Sequence, residues 1–184
     1  MKNQLSWVFV FFLAVGGLTG CHGEDVVGGD EAVGSKVQEW LVEIKEASSH
    51  VGCSATGGEA STARVQELLS LLPVRREKAR VMPSQALLAY HEVHEALACL
   101  SSEGSSPTEG ANEILQAEKS RILGSLSQRL TMHYALYRKA MEEEQSEAAL
   151  NQIEELCALF QDHDGPLLAR LQKRERALRL LMDP

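Results

Sequence analysis

From Lys36 onward, apolar residues return at helical spacing, and no stretch alternates as a strand on a half-buried sheet would. Val37, Trp40, Leu41 and Ile44 fall at i, i+3, i+4 and i+7, a stripe about a third of a helix wide, and Gly52 marks its end. After a loop at Gly57-Gly58, Val65, Leu68, Leu69 and Leu72 repeat the stripe, and Pro73 is expected to stop it. A third segment, Val74 to Leu100, contains Pro83, which removes a backbone donor and should break the helix near Val81. Beyond the break, Ala86, Tyr90, Val93, Leu97 and Leu100 form a heptad-like seam that calls for a partner helix.

Ser106-Pro107-Thr108-Glu109 reads as a capping box with proline at the first helical position, so a fourth helix is predicted to start there. It carries Ile114, Leu115, Ile122, Leu126, Leu130, Tyr137 and Met141 along one side, with Gly124 as a soft spot. Glutamates 142–144 oppose the dipole of a helix C-terminus, and Ser146-Glu147 suits a new N-terminus, which places a tight turn at Glu143 to Ser146. The run from Tyr137-Arg138-Lys139-Ala140-Met141 to Glu147-Ala148-Ala149-Leu150 resembles one hairpin of tetratricopeptide-type helical repeats, without a second copy at that period. A fifth helix carries Leu150, Ile153, Leu156, Cys157 and Phe160 and ends in the turn Asp162-His163-Asp164-Gly165. Pro166 opens the last helix, which buries Leu167, Leu171, Leu178 and Met182 behind an arginine-rich face. The expected fold is all-α, an antiparallel bundle or short helical array of five to six helices.

The chain's first residues carry a different message. Lys2, an apolar run from Trp7 to Val15, and small residues at Gly16, Gly17 and Gly20 have the layout of an export signal, and the run is too short to span a bilayer. Leu18-Thr19-Gly20-Cys21 resembles the lipobox of bacterial lipoproteins. The resemblance implies cleavage before Cys21 and acylation of that cysteine, so that lipid such as palmitate holds the chain on a membrane. His22, where an aspartate would retain a lipoprotein at the inner membrane, implies sorting to the outer membrane, with the domain in the periplasm. Residues 22–35 are rich in glycine and acid and are expected to form a flexible tether. The organisation read from sequence is thus a signal peptide at 1–20, an acylated cysteine and tether at 21–35, and a helical domain at 36–184.

The signal segment holds one lysine and no acid, so the chain's 18 Lys plus Arg against 26 Asp plus Glu become 17 against 26 after cleavage, a net −9. That balance argues against nucleic acid as a partner. Positive residues nevertheless collect at Arg75, Arg76, Lys78 and Arg80, and again at Arg170, Lys173, Arg174, Arg176 and Arg179. An acidic stretch is made by Glu142, Glu143, Glu144, Glu147, Glu154 and Glu155. The expectation is that these are helix faces in water, some pairing with one another. With Cys21 acylated, three thiols remain in an oxidising compartment. Cys53 and Cys99 sit at helix-to-loop boundaries and are the preferred bridge, while Cys157 lies in an apolar pattern as a small core residue.

His91, His94 and Glu95 lie within one helical turn and can face one metal ion, with His133 of the fourth helix as the candidate ligand from elsewhere. The pattern is not His-Glu-x-x-His, and the ordinary reading is a pair of half-buried histidines flanking the seam. Met132 and His133, being adjacent, cannot face one haem pocket, and no nucleophile elbow or phosphate loop is present. No cofactor is expected. The function that follows is non-catalytic: a lipid-anchored envelope protein that binds an envelope protein partner as an accessory, assembly or regulatory factor. Two alternatives are a metal-binding periplasmic protein or enzyme built on the His/Glu cluster, and an effector or immunity lipoprotein in competition between bacteria.

Overall fold

The computed structural model describes residues 29–102, 110–161 and 165–182. Six helices run through the described residues, with no strand among them: α1 (Gly29–Ser49), α2 (Gly58–Val81), α3 (Ser84–Leu100), α4 (Ala111–Glu142), α5 (Ser146–Leu159) and α6 (Pro166–Met182). The all-α expectation holds. Residues 1–28, with the signal and lipobox, the capping-box residues 106–109 and the turn residues 162–164 lie outside the described residues.

Three helix boundaries differ from the sequence reading. α1 starts at Gly29, so residues 29–35 belong to the helix and not to the tether. Val33 is 5% exposed and extends the stripe of Val37, Trp40 and Ile44 by one more turn into the core. α2 passes through Pro73 and ends at Val81. A proline inside a helix costs about 3 kcal/mol, but Leu68 and Leu72 are buried just before it and Arg75 and Arg76 pair with other helices just after it. Tertiary contacts on both flanks outweigh the local break. α4 begins at Ala111, after Gly110 in the left-handed conformation (φ 78°). Other boundaries agree. Met82, extended before Pro83, closes α2; Glu143 and Glu144 (φ 57°) turn the chain between α4 and α5; Pro166 opens α6.

α4 is the spine. Its 32 residues span about 48 Å at 1.5 Å per residue. α3 packs on α4 with α2 outside it, while α1 and α5 also pack on α4 and α6 packs on α5. Short connections reverse the chain between α4 and α5 and between α5 and α6, so α6 runs parallel to α4. α1 runs the other way: the Trp40 ring meets Tyr134 late in α4, with centroids 4.9 Å apart, while the segment after α1 reaches Cys99 and Ala111 at the start of α4. α1 and α6 are therefore antiparallel, with the start of α1 and the end of α6 at one end of the molecule. Arg170 of α6 forms an ion pair with Glu43 of α1.

The core is one continuous apolar cluster with Trp40, Tyr90, Leu115, Leu126, Ile153, Leu156 and Phe160 among its fully buried members. A satellite of Val65, Cys99 and Ala111 surrounds the disulfide Cys53–Cys99, whose Cα atoms are 4.6 Å apart. Ala86, Tyr90 and Val93 of the seam on α3 are buried, and Leu97 and Leu100 are half-buried against the core. Ala89 and Ala96 are buried as well. α3 touches α1, α2, α4 and α5, so the seam's partner helices are within this chain and the seam is not a free docking face.

Candidate functional site

The four residues of the alternative metal reading, His91, His94, Glu95 and His133, are not gathered into one ligand set among the described residues. Glu95 turns away from the histidines toward α2, accepting hydrogen bonds from Arg64 Nε at 2.9 Å and Arg64 Nη2 at 3.0 Å, and another from the hydroxyl of Ser54. The Arg64 guanidinium holds the Glu95 carboxyl below the usual carboxylate range. His94 packs its ring edgewise on Tyr90, with centroids 4.8 Å apart, and its buried Nε2 has no hydrogen-bond partner. Burial, reinforced by the nearby positive charge of Lys119 and by His91, lowers the His94 pKa and favours the neutral ring. His133 of α4 reaches across to α5, where its Nδ1 lies 2.9 Å from Gln152 Oε1. Among the described residues, no group of three or more His, Cys, Asp or Glu is placed to hold a metal ion. Helical spacing put three candidate ligands on one turn; contacts with neighbouring helices then pulled two of the four away.

A polar cluster that the sequence reading passed over lies on α4. Glu118 is almost completely buried, yet it receives Arg76 (Nη2 at 2.6 Å, Nε at 3.1 Å) and Arg121 (Nη2 at 2.5 Å, Nε at 3.0 Å). Burial alone would raise its pKa; the hydrogen bonds from Arg121 and Arg76 outweigh that and hold it at about 2. A signal was available, because Glu118 falls three residues after Leu115 and four before Ile122, in the apolar stripe itself. Nearby, Arg75 Nη2 sits 2.5 Å from Glu92. The basic run at 75–80 is thus divided: Arg75 and Arg76 join helices, and Arg80 pairs with Glu77 on the surface.

Cys157 is half-buried, and burial first, then Glu175 and Glu154, push its thiol up to about 12. A thiol so placed stays protonated and is a poor nucleophile or metal ligand at neutral pH. Two surface depressions flank α6. One, of about 260 Å³, lies against α1, with Trp40, Leu167 and Leu171 below and Lys36, Arg170 and Arg174 around it. Lys36 there meets Glu39 at 2.8 Å. The other, of about 290 Å³ and shallower, lies between α5 and α6 around Cys157, Leu168 and Glu175.

α6 is strongly basic in an acidic chain: Arg170, Lys173, Arg174, Arg176 and Arg179 stand against Glu175 alone. Arg170 and Arg179 are tied to Glu43 and Glu154 respectively. No described helix is long and apolar enough to cross a membrane. Comparisons of the chain with protein-family models, with curated proteins and with solved structures give no match.

Proposed function

We propose that this chain is a lipid-anchored lipoprotein of the bacterial envelope, held by acyl chains on Cys21, whose helical domain acts by binding another envelope protein as an accessory, assembly or regulatory factor. The observation that carries the reading is the sequence Leu18-Thr19-Gly20-Cys21 directly after a short apolar run and small residues. Two acyl chains suffice for stable anchoring, since each buried methylene contributes about 0.8 kcal/mol. The Cys53–Cys99 bridge supports export, because disulfides persist in oxidising compartments. His22 after the cysteine favours the outer membrane, with the domain facing the periplasm.

A non-catalytic role is supported by what the reactive side chains are doing. Glu92, Glu95 and Glu118 are each engaged by arginine, and the Cys157 thiol is held protonated. These groups hold helices together. The partner's contact surface is sought on the outer helices α2 and α6, since α3 is enclosed.

Replacing Cys21 by serine tests the anchor. The expected outcome is loss of the chain from the membrane fraction and accumulation of uncleaved precursor. Unchanged fractionation and unchanged processing would overturn it.

A further inference from the structure

α6 ends in three consecutive exposed apolar residues: Leu180 (76% exposed), Leu181 (71%) and Met182 (40%). Their neighbour Leu178 is the last α6 side chain buried in the core. Successive helical residues point about 100° apart, so these three sweep round more than half of the helix tip. A groove on a folded partner covers one face of a helix, whereas the acyl–headgroup boundary of a bilayer can surround a tip. One and two turns back respectively, Arg176 and Lys173 are exposed on the same helix. Long cationic side chains beside apolar ones suit the headgroup layer, where the stem stays in apolar surroundings and the charge meets phosphate.

The path of the chain supplies an independent argument. Glu43 and Arg170 are level with each other and their helices are antiparallel. From there α1 takes about 21 Å to reach Gly29 and α6 about 16 Å to reach Leu181, at 1.5 Å per residue. The start of α1 and the apolar tip thus lie at one end of the molecule. Cys21 precedes Gly29 by eight residues, which reach at most about 29 Å when fully extended. A lipid on Cys21 therefore keeps this end, and not the far end of α4, close to the bilayer.

We infer that the last turn of α6, Leu180 to Met182 with Lys173 and Arg176 behind it, contacts the phospholipid leaflet that holds the anchor. This rests on the lipid-anchor reading above. The acidic turn between α4 and α5, Glu142 to Glu144, is exposed toward the same end.

The test uses acylated full-length protein in phosphatidylethanolamine–phosphatidylglycerol vesicles brominated high on the acyl chains, with tryptophan emission as the readout. After cleavage of the signal, Trp40 is the remaining tryptophan, and it is 1% exposed. With Leu181→Trp, the introduced indole is expected to shift its emission to the blue and lose about half of its intensity to bromine. Ile114→Trp, near the start of α4 at the opposite end and 52% exposed in the parent chain, is expected to quench no more than the parent. Equal quenching of the two variants, or none in either, overturns the contact. A chain that pellets with vesicles through its lipid while Leu181→Trp stays unquenched overturns this inference alone. A chain that carries no lipid on Cys21 and stays in solution overturns the anchor and this inference together.

Discussion

The two halves of α4 are held by different chemistry. Beside its early half, groups that each demand a particular partner join α2 and the segment before it to α3, through the Cys53–Cys99 bridge, Arg64 on Glu95 and Arg75 on Glu92, and join α2 to α4 through Arg76 on Glu118, which Arg121 of α4 also holds. Its late half is held by α1 and α5, with α6 outside them, through Trp40 on Tyr134, Tyr134 stacked near Tyr137, and buried Leu156, Phe160 and Leu171. The ion pairs on that side, Arg179–Glu154 and Arg170–Glu43, join partly exposed side chains. On the other side the carboxylates of Glu92, Glu95 and Glu118 are largely buried, and such contacts fix which surfaces meet, because removing the arginine leaves a sheltered carboxylate without a partner. Apolar packing contributes more energy but is not directional, and the two surface depressions beside α6 lie in that half.

The contrast breaks first at Trp40. Trp40→Ala removes the largest fully buried side chain on the apolar side, and urea unfolding is expected to show a loss of about 3–5 kcal/mol. On the clamped side, Cys53→Ser with Cys99→Ser is expected to lower stability by about 2–4 kcal/mol, and dithiothreitol should reproduce the effect in the parent. Cys157→Ser should leave that sensitivity to reductant intact, since its sulfur is not in the bridge.

Glu118 makes the clamped half sensitive to acid. Its folded value of about 2 lies below the ordinary 4.5, so folding favours the carboxylate. That stabilisation is fully present above about pH 4.5 and is lost as pH falls through about 2. Glu118→Gln is expected to cost about 2 kcal/mol near neutrality and to flatten the fall in stability across that window, as followed by helical circular dichroism. A variant that loses stability across the window as steeply as the parent would assign the acid response to other carboxylates. The smallest effect is expected from Arg179→Ala, whose pairs are surface-exposed, at under about 1 kcal/mol in the same unfolding measurement. If it matched Trp40→Ala, the division between the halves would not stand.

Helix class and most boundaries were legible because each stripe is amphipathic and each turn carries its own punctuation: Pro83 before α3, the glutamates before Ser146, and Pro166 at α6. The bridge was legible because both cysteines flank loops. Pro73 misled because a residue's local cost does not report the contacts that offset it. Spacing alone could not decide between the two readings of the His91-to-Glu95 cluster for a related reason: it fixes where a side chain starts, and the neighbouring helix decides where it ends. Glu118 was readable in principle, as a charge at a core position, but naming its partners requires knowing that α2 continues past Pro73 to bring Arg76 alongside. The exposed tip of α6 was hidden because Met182 fits the apolar stripe by spacing, whereas the helix outruns the core after Leu178.

The central claim is that lipid on one sulfur ties this domain to its membrane. Its most direct test is the mass of the N-terminal peptide from protein extracted out of the membrane in detergent. The account predicts a peptide that begins at Cys21 and is heavier than its sequence by a diacylglyceryl group, with or without a further acyl chain. A peptide of unmodified mass, or one beginning elsewhere, would contradict it.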